Sequence, residues 1–138
     1  MPALVPTPNP HPALEAARKS WRFVQERRKR DWLALLADNV VIEDPIGASP
    51  LDPSGAGVRG RAAAEAFWDR TIARASIAIE THESFAAGLE SAHLLTLRTR
   101  FPDGSGLTVR GIFTYALNDA GKIRALRGYW SLDGASRV

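Results

Sequence analysis

The order of the chain's hydrophobic periodicities constrains its fold most: helix-like spacing comes first and strand-like alternation comes last. Leu95, Leu97, Thr99 and Phe101 alternate with Thr96, Arg98 and Arg100, the period-two signature of a strand with one buried and one solvated face. Ile77, Ile79 and Thr81 alternate in the same way with Ala78, Glu80 and His82. Pro102-Asp103-Gly104-Ser105-Gly106 reads as a turn, Thr108 to Leu117 as a strand, Asn118-Asp119-Ala120-Gly121 as a hairpin turn, and Lys122 to Leu132 as the last strand. Upstream, Leu14, Ala17, Trp21 and Val24 fall on one helical stripe. Asp31 to Ala37 continues as a short, largely buried helix that Asp38-Asn39 ends. Arg61 to about Ala75 predicts a third helix with Ala64, Phe67, Trp68, Thr71 and Ile72 on one face. Helices followed by consecutive antiparallel strands argue against βαβ units and predict an α+β fold.

The 138 residues suit one domain. Pro2, Pro6, Pro8, Pro10 and Pro12 mark residues 1–12 as a proline-rich tail, leaving 13–138 as the domain. No apolar run approaches the ~20 residues of a membrane span, so no membrane partner is expected. The first residues lack the pattern of a secretory signal. Zero cysteines exclude disulfides and thiol chemistry and fit a cytoplasmic location. The net charge is +3, and the one basic run, Arg27 to Arg30, has no interleaved aromatics or glycine-rich loop. It reads as a solvated helix end rather than a nucleic-acid patch. His11, His82 and His93 show no metal-ligand spacing; they are expected in the tail, on the outer face and at a rim, respectively. Ser20, Ser105 and Ser131 have no paired His and Asp, which argues against a serine hydrolase.

One residue asks for chemistry. On the strand Val40-Val41-Ile42-Glu43-Asp44, which Pro45 terminates, Val40, Ile42 and Asp44 share a face. If that face is the core face, Asp44 is carried among apolar groups. A carboxylate there is costly unless paired or functional, and desolvation raises its pKa. The alternative is that Asp44 caps the following loop through amides near Ile46 or Gly47.

The segment Ala37-Asp38-Asn39-Val40-Val41-Ile42-Glu43-Asp44-Pro45-Ile46-Gly47 resembles the stretch of bacterial Δ5-3-ketosteroid isomerases that ends in their catalytic aspartate. Gly60 through Trp68 resembles their third helix, and Ala120-Gly121-Lys122 through Tyr129-Trp130 their final hairpin. The similarity runs in order over about residues 13–132, with a longer loop at 48–59. It implies an NTF2-like cone: three helices in the N-terminal half, packed on a strongly curved, mixed but mostly antiparallel sheet around an apolar pocket. It also implies Asp44 as a proton-shuttling base, a steroid or similar flat apolar ketone as ligand, no cofactor or metal, and a homodimer formed through the outer sheet face. The same superfamily holds SnoaL-type polyketide cyclases and dehydratases, and a non-catalytic lipophile binder is a further alternative.

The resemblance fails at two positions. The tyrosine and the protonated aspartic acid of the family's oxyanion hole fall on Ser20 and Phe113. Tyr115, Trp130 and Ser20 are candidate substitutes, with plain core packing the competing role for Tyr115 and Trp130. Phe67, Trp68, Leu95, Leu97, Phe101, Phe113, Leu126 and Gly128 are the expected pocket walls; Trp32 is expected in the core.

Overall fold

A computed structural model describes residues 11–49 and 52–137; the expected tail, up to residue 10, lies outside them. Helix α1 (Pro12–Gln25) opens one residue earlier than expected, because Pro12 sits at the first helical position and the His11 ring accepts a bond from the Ala13 amide. Its buried face carries Ala13, Ala16, Ala17, Ser20, Trp21 and Phe23. Helix α2 spans Lys29–Ala34 and helix α3 spans Arg61–Arg70, followed by a 3₁₀ turn at Ile72–Arg74.

The strands are β1 (Leu36–Glu43), β2 (Val58–Arg59), β3 (Ser76–Ala87), β4 (Glu90–Arg100), β5 (Gly106–Leu117), β6 (Ile123–Tyr129) and β7 (Ser136–Arg137). They form one sheet in the order β2-β1-β6-β5-β4-β3, with β7 on β5. All pairings are antiparallel except β1 with β6. This is the mixed, curved α+β cone that the resemblance implies.

Several boundaries differ from the sequence reading, among them the end of α3 at Arg70 and not at about Ala75. Asp38 and Asn39 do not end a helix; they lie within β1, exposed between buried Ala37 and Val40. The ladder to β6 explains this. Leu36 pairs with Ile123 but Val41 pairs with Ala125, so the intervening polar residues bulge outward while the apolar ones stay in the core. The last strand ends at Tyr129 rather than Leu132, where a 3₁₀ turn at Leu132–Gly134 leads into β7.

Two residues of the basic run, at this largely exposed helix end, also tie neighbouring elements together. Arg27, at φ 58°, donates to the carbonyls of Ala73 and Ala75. Lys29 bridges Glu65 and Asp69 of α3, each at 2.9 Å, and these two acids raise its pKa.

His93 is not at a rim. It is 1% exposed on β4, between α1 and the sheet, with the edge of Trp21 at 4.7 Å. Its Nδ1 meets Ser84 Oγ and its Nε2 meets Ser91 Oγ, each at 2.7 Å. Ser91 Oγ also donates to the Ala13 carbonyl at 3.3 Å, and a hydroxyl at each ring nitrogen satisfies either neutral tautomer. Burial, helped by the charge of Arg18, lowers the His93 pKa to about 4.

Because an unfolded histidine titrates near 6.5, this contribution to stability is complete above that pH. It is lost as pH falls toward 4, since the unfolded chain takes up the proton first. The stability advantage of the wild type over His93→Gln is therefore expected to shrink by on the order of 2 kcal/mol between pH 7 and pH 4. Urea unfolding at the two pH values measures it.

Candidate active site

The core-facing side of β1 is the one that carries Val40 and Ile42, which are 0% and 2% exposed. Asp44 follows on that side and opens onto a cavity of about 500 Å³, within the range of small-molecule sites. The cavity lies between α1, α3 and the inner face of the sheet. Val24, Phe67 and Ile72 form its helical wall; Ile77, Leu97, Leu107 and Val109 form its sheet wall.

Two groups meet at the polar end. The Trp130 indole N–H donates to Asp44 Oδ1 at 2.6 Å. Oδ2 has no hydrogen-bond partner among the described residues, and no side-chain oxygen buried from solvent is left unpartnered there. Oδ2 is therefore the carboxylate oxygen left without a protein partner and not wholly buried, on a residue that lines the cavity. Asp44 is half-buried by accessible surface because it borders that space, but the protein packed around the carboxylate desolvates it. Desolvation pushes its pKa above the ordinary carboxylate range, and the Trp130 bond pulls it partway back. The expected competing role does not appear: the Ile46 amide donates to the Gly128 carbonyl, not to Asp44.

Gly128 makes the pairing possible. A Cβ at this position would lie 2.7 Å from Asp44 Oδ1, 2.9 Å from Trp130 Nε1 and 3.0 Å from the Phe113 ring. Gly111 serves the same segment from β5, where a Cβ would lie 3.1 Å from Trp130 Cβ.

The structure divides the expected site residues. Asp44, Phe67, Leu97, Phe101 and Trp130 line the cavity. Trp68, Leu95, Phe113 and Leu126 are in the buried core and not on the cavity wall. Trp68 turns to Trp32, with ring centroids 5.2 Å apart; the ridge of α3 is wide enough for Phe67 and Thr71 to face the cavity while Ala64 and Trp68 face inward. Gly128 acts beneath the carboxylate. Tyr115 is 3% exposed and its phenol oxygen accepts the Trp21 indole bond at 2.8 Å. Burial above all, and also the charge of Asp44, raise its pKa and keep it protonated. Ser20 is 2% exposed and accepts from the Trp32 indole at 3.2 Å. Neither Tyr115 nor Ser20 reaches the cavity.

Other lining residues had a legible signal but were not singled out as site residues. Val24 lies on the apolar stripe of α1, Thr71 and Ile72 on the α3 ridge, and Thr99 on the inner alternation of β4. Arg70, Arg74 and Pro102 had none. Among the described residues, no group of three His, Asp or Glu side chains is placed to hold a metal, and no helix is long and apolar enough to cross a membrane.

This architecture and site define a SnoaL-like domain. Residues 17–126 match that family's model, and the chain belongs to it. A Δ5-3-ketosteroid isomerase from Mycobacterium sp. is similar at 44% identity and TM-score 0.89, over 92% of this chain and 98% of that one. The RV0760c protein from Mycobacterium tuberculosis is similar at 45% identity and TM-score 0.91, over 94% and 98% of the two chains. Its complex with estradiol-17beta-hemisuccinate matches at 46% identity and TM-score 0.89, over 92% and 99%. No curated protein matches.

Trp130→Phe removes the bond that stabilises ionised Asp44 and keeps the apolar bulk. The Asp44 pKa is then expected to rise further, because a charge-assisted bond to the ionised form is lost. The ¹³C chemical shift of the labelled Asp44 carboxyl, followed against pH, reads this directly.

Proposed function

We propose that this protein binds a steroid or a similarly flat apolar ketone in the cavity and that Asp44 moves its double bond as a proton-shuttling base. The observation that carries this reading is the carboxylate itself, on a residue that lines an apolar cavity: one oxygen is anchored by Trp130, the other has no partner among the described residues. In the proposed reaction Oδ2 removes a hydrogen from the carbon between the ketone and the β,γ double bond, leaving a dienolate and a neutral acid. The acid returns the same proton at the far end of the conjugated system. The product is the α,β-unsaturated ketone, and Asp44 is again ionised. Its raised pKa strengthens it as a base near neutral pH. The similarity to a ketosteroid isomerase and to a protein in complex with a steroid ester supports the ligand class.

One observation favours a second reading, a binder without turnover. Among the described residues, the Trp130 N–H is spent on Asp44, and the Tyr115 and Ser20 hydroxyls lie off the cavity wall. An enolate oxygen at the closed end thus meets few donors, and each missing one costs roughly 2.7–4 kcal/mol of transition-state stabilisation. A SnoaL-type cyclisation or a dehydration would use the same carboxylate.

Conjugated-enone absorbance with a 5-ene-3-ketosteroid separates these readings. The expected result is turnover whose kcat/KM rises with pH through a value above the usual carboxylate pKa, and which falls by about a hundredfold or more in Asp44→Asn. Turnover unaffected by that substitution removes Asp44 as base; steroid binding without turnover selects the binder.

The proposal includes a homodimer through the outer sheet face. Phe113 and Gly128 point inward, so their neighbours Ile112 and Tyr129, paired across β5 and β6, point outward, 40% and 49% exposed. Sedimentation velocity is expected to show a dimer that Ile112→Lys weakens by placing charge in its apolar centre.

A further inference from the structure

We infer that the cavity takes an amphiphile: a flat apolar body with an anionic group at its far end, held at the mouth by Arg70 and Arg74. The inference rests on the reading of this cavity as the ligand site and adds the chemistry of the ligand's other end.

Exposure along the wall locates the mouth. Ile72 and Val109 are buried, whereas Arg70, Arg74, Phe101 and Pro102 are exposed. Asp44 is the one acidic residue among the lining side chains. Neither arginine forms an ion pair with it, and neither guanidinium contributes to the shift of its carboxyl. Arg70 borders Asp44 and Asp52 at a small side pocket, where the Ser54 hydroxyl above all, and also the Arg70 charge, hold the Asp52 carboxyl low. Their donors are also unspent. Among the described residues, neither side chain has an ion pair or hydrogen bond, in contrast to Arg98 with Glu80 and Arg127 with Glu43. Arg70 lies 5.7 Å over the ring of Phe67, itself a wall residue, a stacking that leaves the planar N–H fork free.

A third group points the same way. The Thr99 hydroxyl lies on the sheet wall without a hydrogen-bond partner among the described residues. A neutral ligand end would need one donor at most. Two guanidinium forks at the mouth and a hydroxyl on the wall suit an oxygen-rich anion such as a carboxylate or a sulfate ester. The cavity is therefore polarised, with an apolar shaft, a proton acceptor at the closed end and cations at the opening. It selects a conjugated or acid-bearing ligand over a neutral one.

Isothermal titration with estradiol, its 17-hemisuccinate and its 17-sulfate tests this on wild type, Arg70→Gln/Arg74→Gln, Arg74→Gln alone and Arg70→Lys/Arg74→Lys. Wild type is expected to prefer at least one conjugate over estradiol by about tenfold at low salt, with the ratio shrinking at high salt as exposed charges are screened. Which conjugate wins identifies carboxylate or sulfate as the recognised group. Within each protein, the ratio is expected to approach one in the double Gln variant, fall partway in Arg74→Gln and recover in part in the Lys variant. Equal wild-type affinities, or a preference that survives the double Gln substitution, overturn the inference. If no compound binds wild type, this inference and the steroid reading fall together. An anion preference alongside ketone turnover indifferent to Asp44→Asn leaves this inference standing and removes only the base.

Discussion

The site depends on one short contact, the indole N–H of Trp130 on the carboxylate of Asp44. A bare carboxylate facing an apolar cavity is expensive, and left alone it would hold its proton near neutral pH. A single N–H from the far end of β6 returns part of the lost solvation and leaves the second oxygen unengaged. The tryptophan thus orients one oxygen and moderates the acidity, while the apolar wall keeps water from levelling the carboxylate's basicity.

Much of the surrounding architecture follows from bringing those two side chains together. Asp44 lies at the end of β1 and Trp130 just beyond β6, and β1 and β6 are the one parallel pair in the sheet. Parallel alignment places both chain ends at the same edge of the cone, which an antiparallel pair at this register would not do. The Ile46 amide then bonds to the Gly128 carbonyl and closes the loop after Asp44 against β6. Gly128 removes the one side chain that would occupy the space between carboxylate, indole and Phe113.

Behind this pair lies a second polar layer that serves the fold. Trp21 donates to Tyr115, Trp32 donates to Ser20, and His93 is held by Ser84 and Ser91. Among the described residues each buried side-chain nitrogen and oxygen has a partner, the condition under which a polar core stabilises and does not strain. Tyr115 and Ser20, which the sequence offers as donors to a ligand oxygen, are instead spent in tying α1 to the sheet and α2 to α1. The residues with the most suggestive chemistry on paper are the ones most fully used in packing.

The alternation in β3 to β6, the apolar stripe of α1 and the inward parity of Val40, Ile42 and Asp44 are local properties of a polypeptide, and they were legible because side-chain direction follows from period alone. The α+β class, the parity that puts Asp44 on one face with Val40 and Ile42, and the last strand that leads to Trp130 therefore belong to the sequence. The bulge at Asp38-Asn39, the turn of Trp68 toward Trp32 and the burial of His93 do not. Each depends on which strand or helix lies opposite, and periodicity carries no information about neighbours distant in the chain. The same holds for the cavity mouth. Arg70 and Arg74 look like ordinary cations at a helix end, where they suit the dipole, and only the packing of that helix end beside the β4–β5 turn makes them the rim of a pocket. The sequence by itself determined which faces are apolar and which acid shares a face with Val40 and Ile42. Tertiary structure decided which polar groups are satisfied and which remain open to a ligand, because that depends on distances between elements and not on their order.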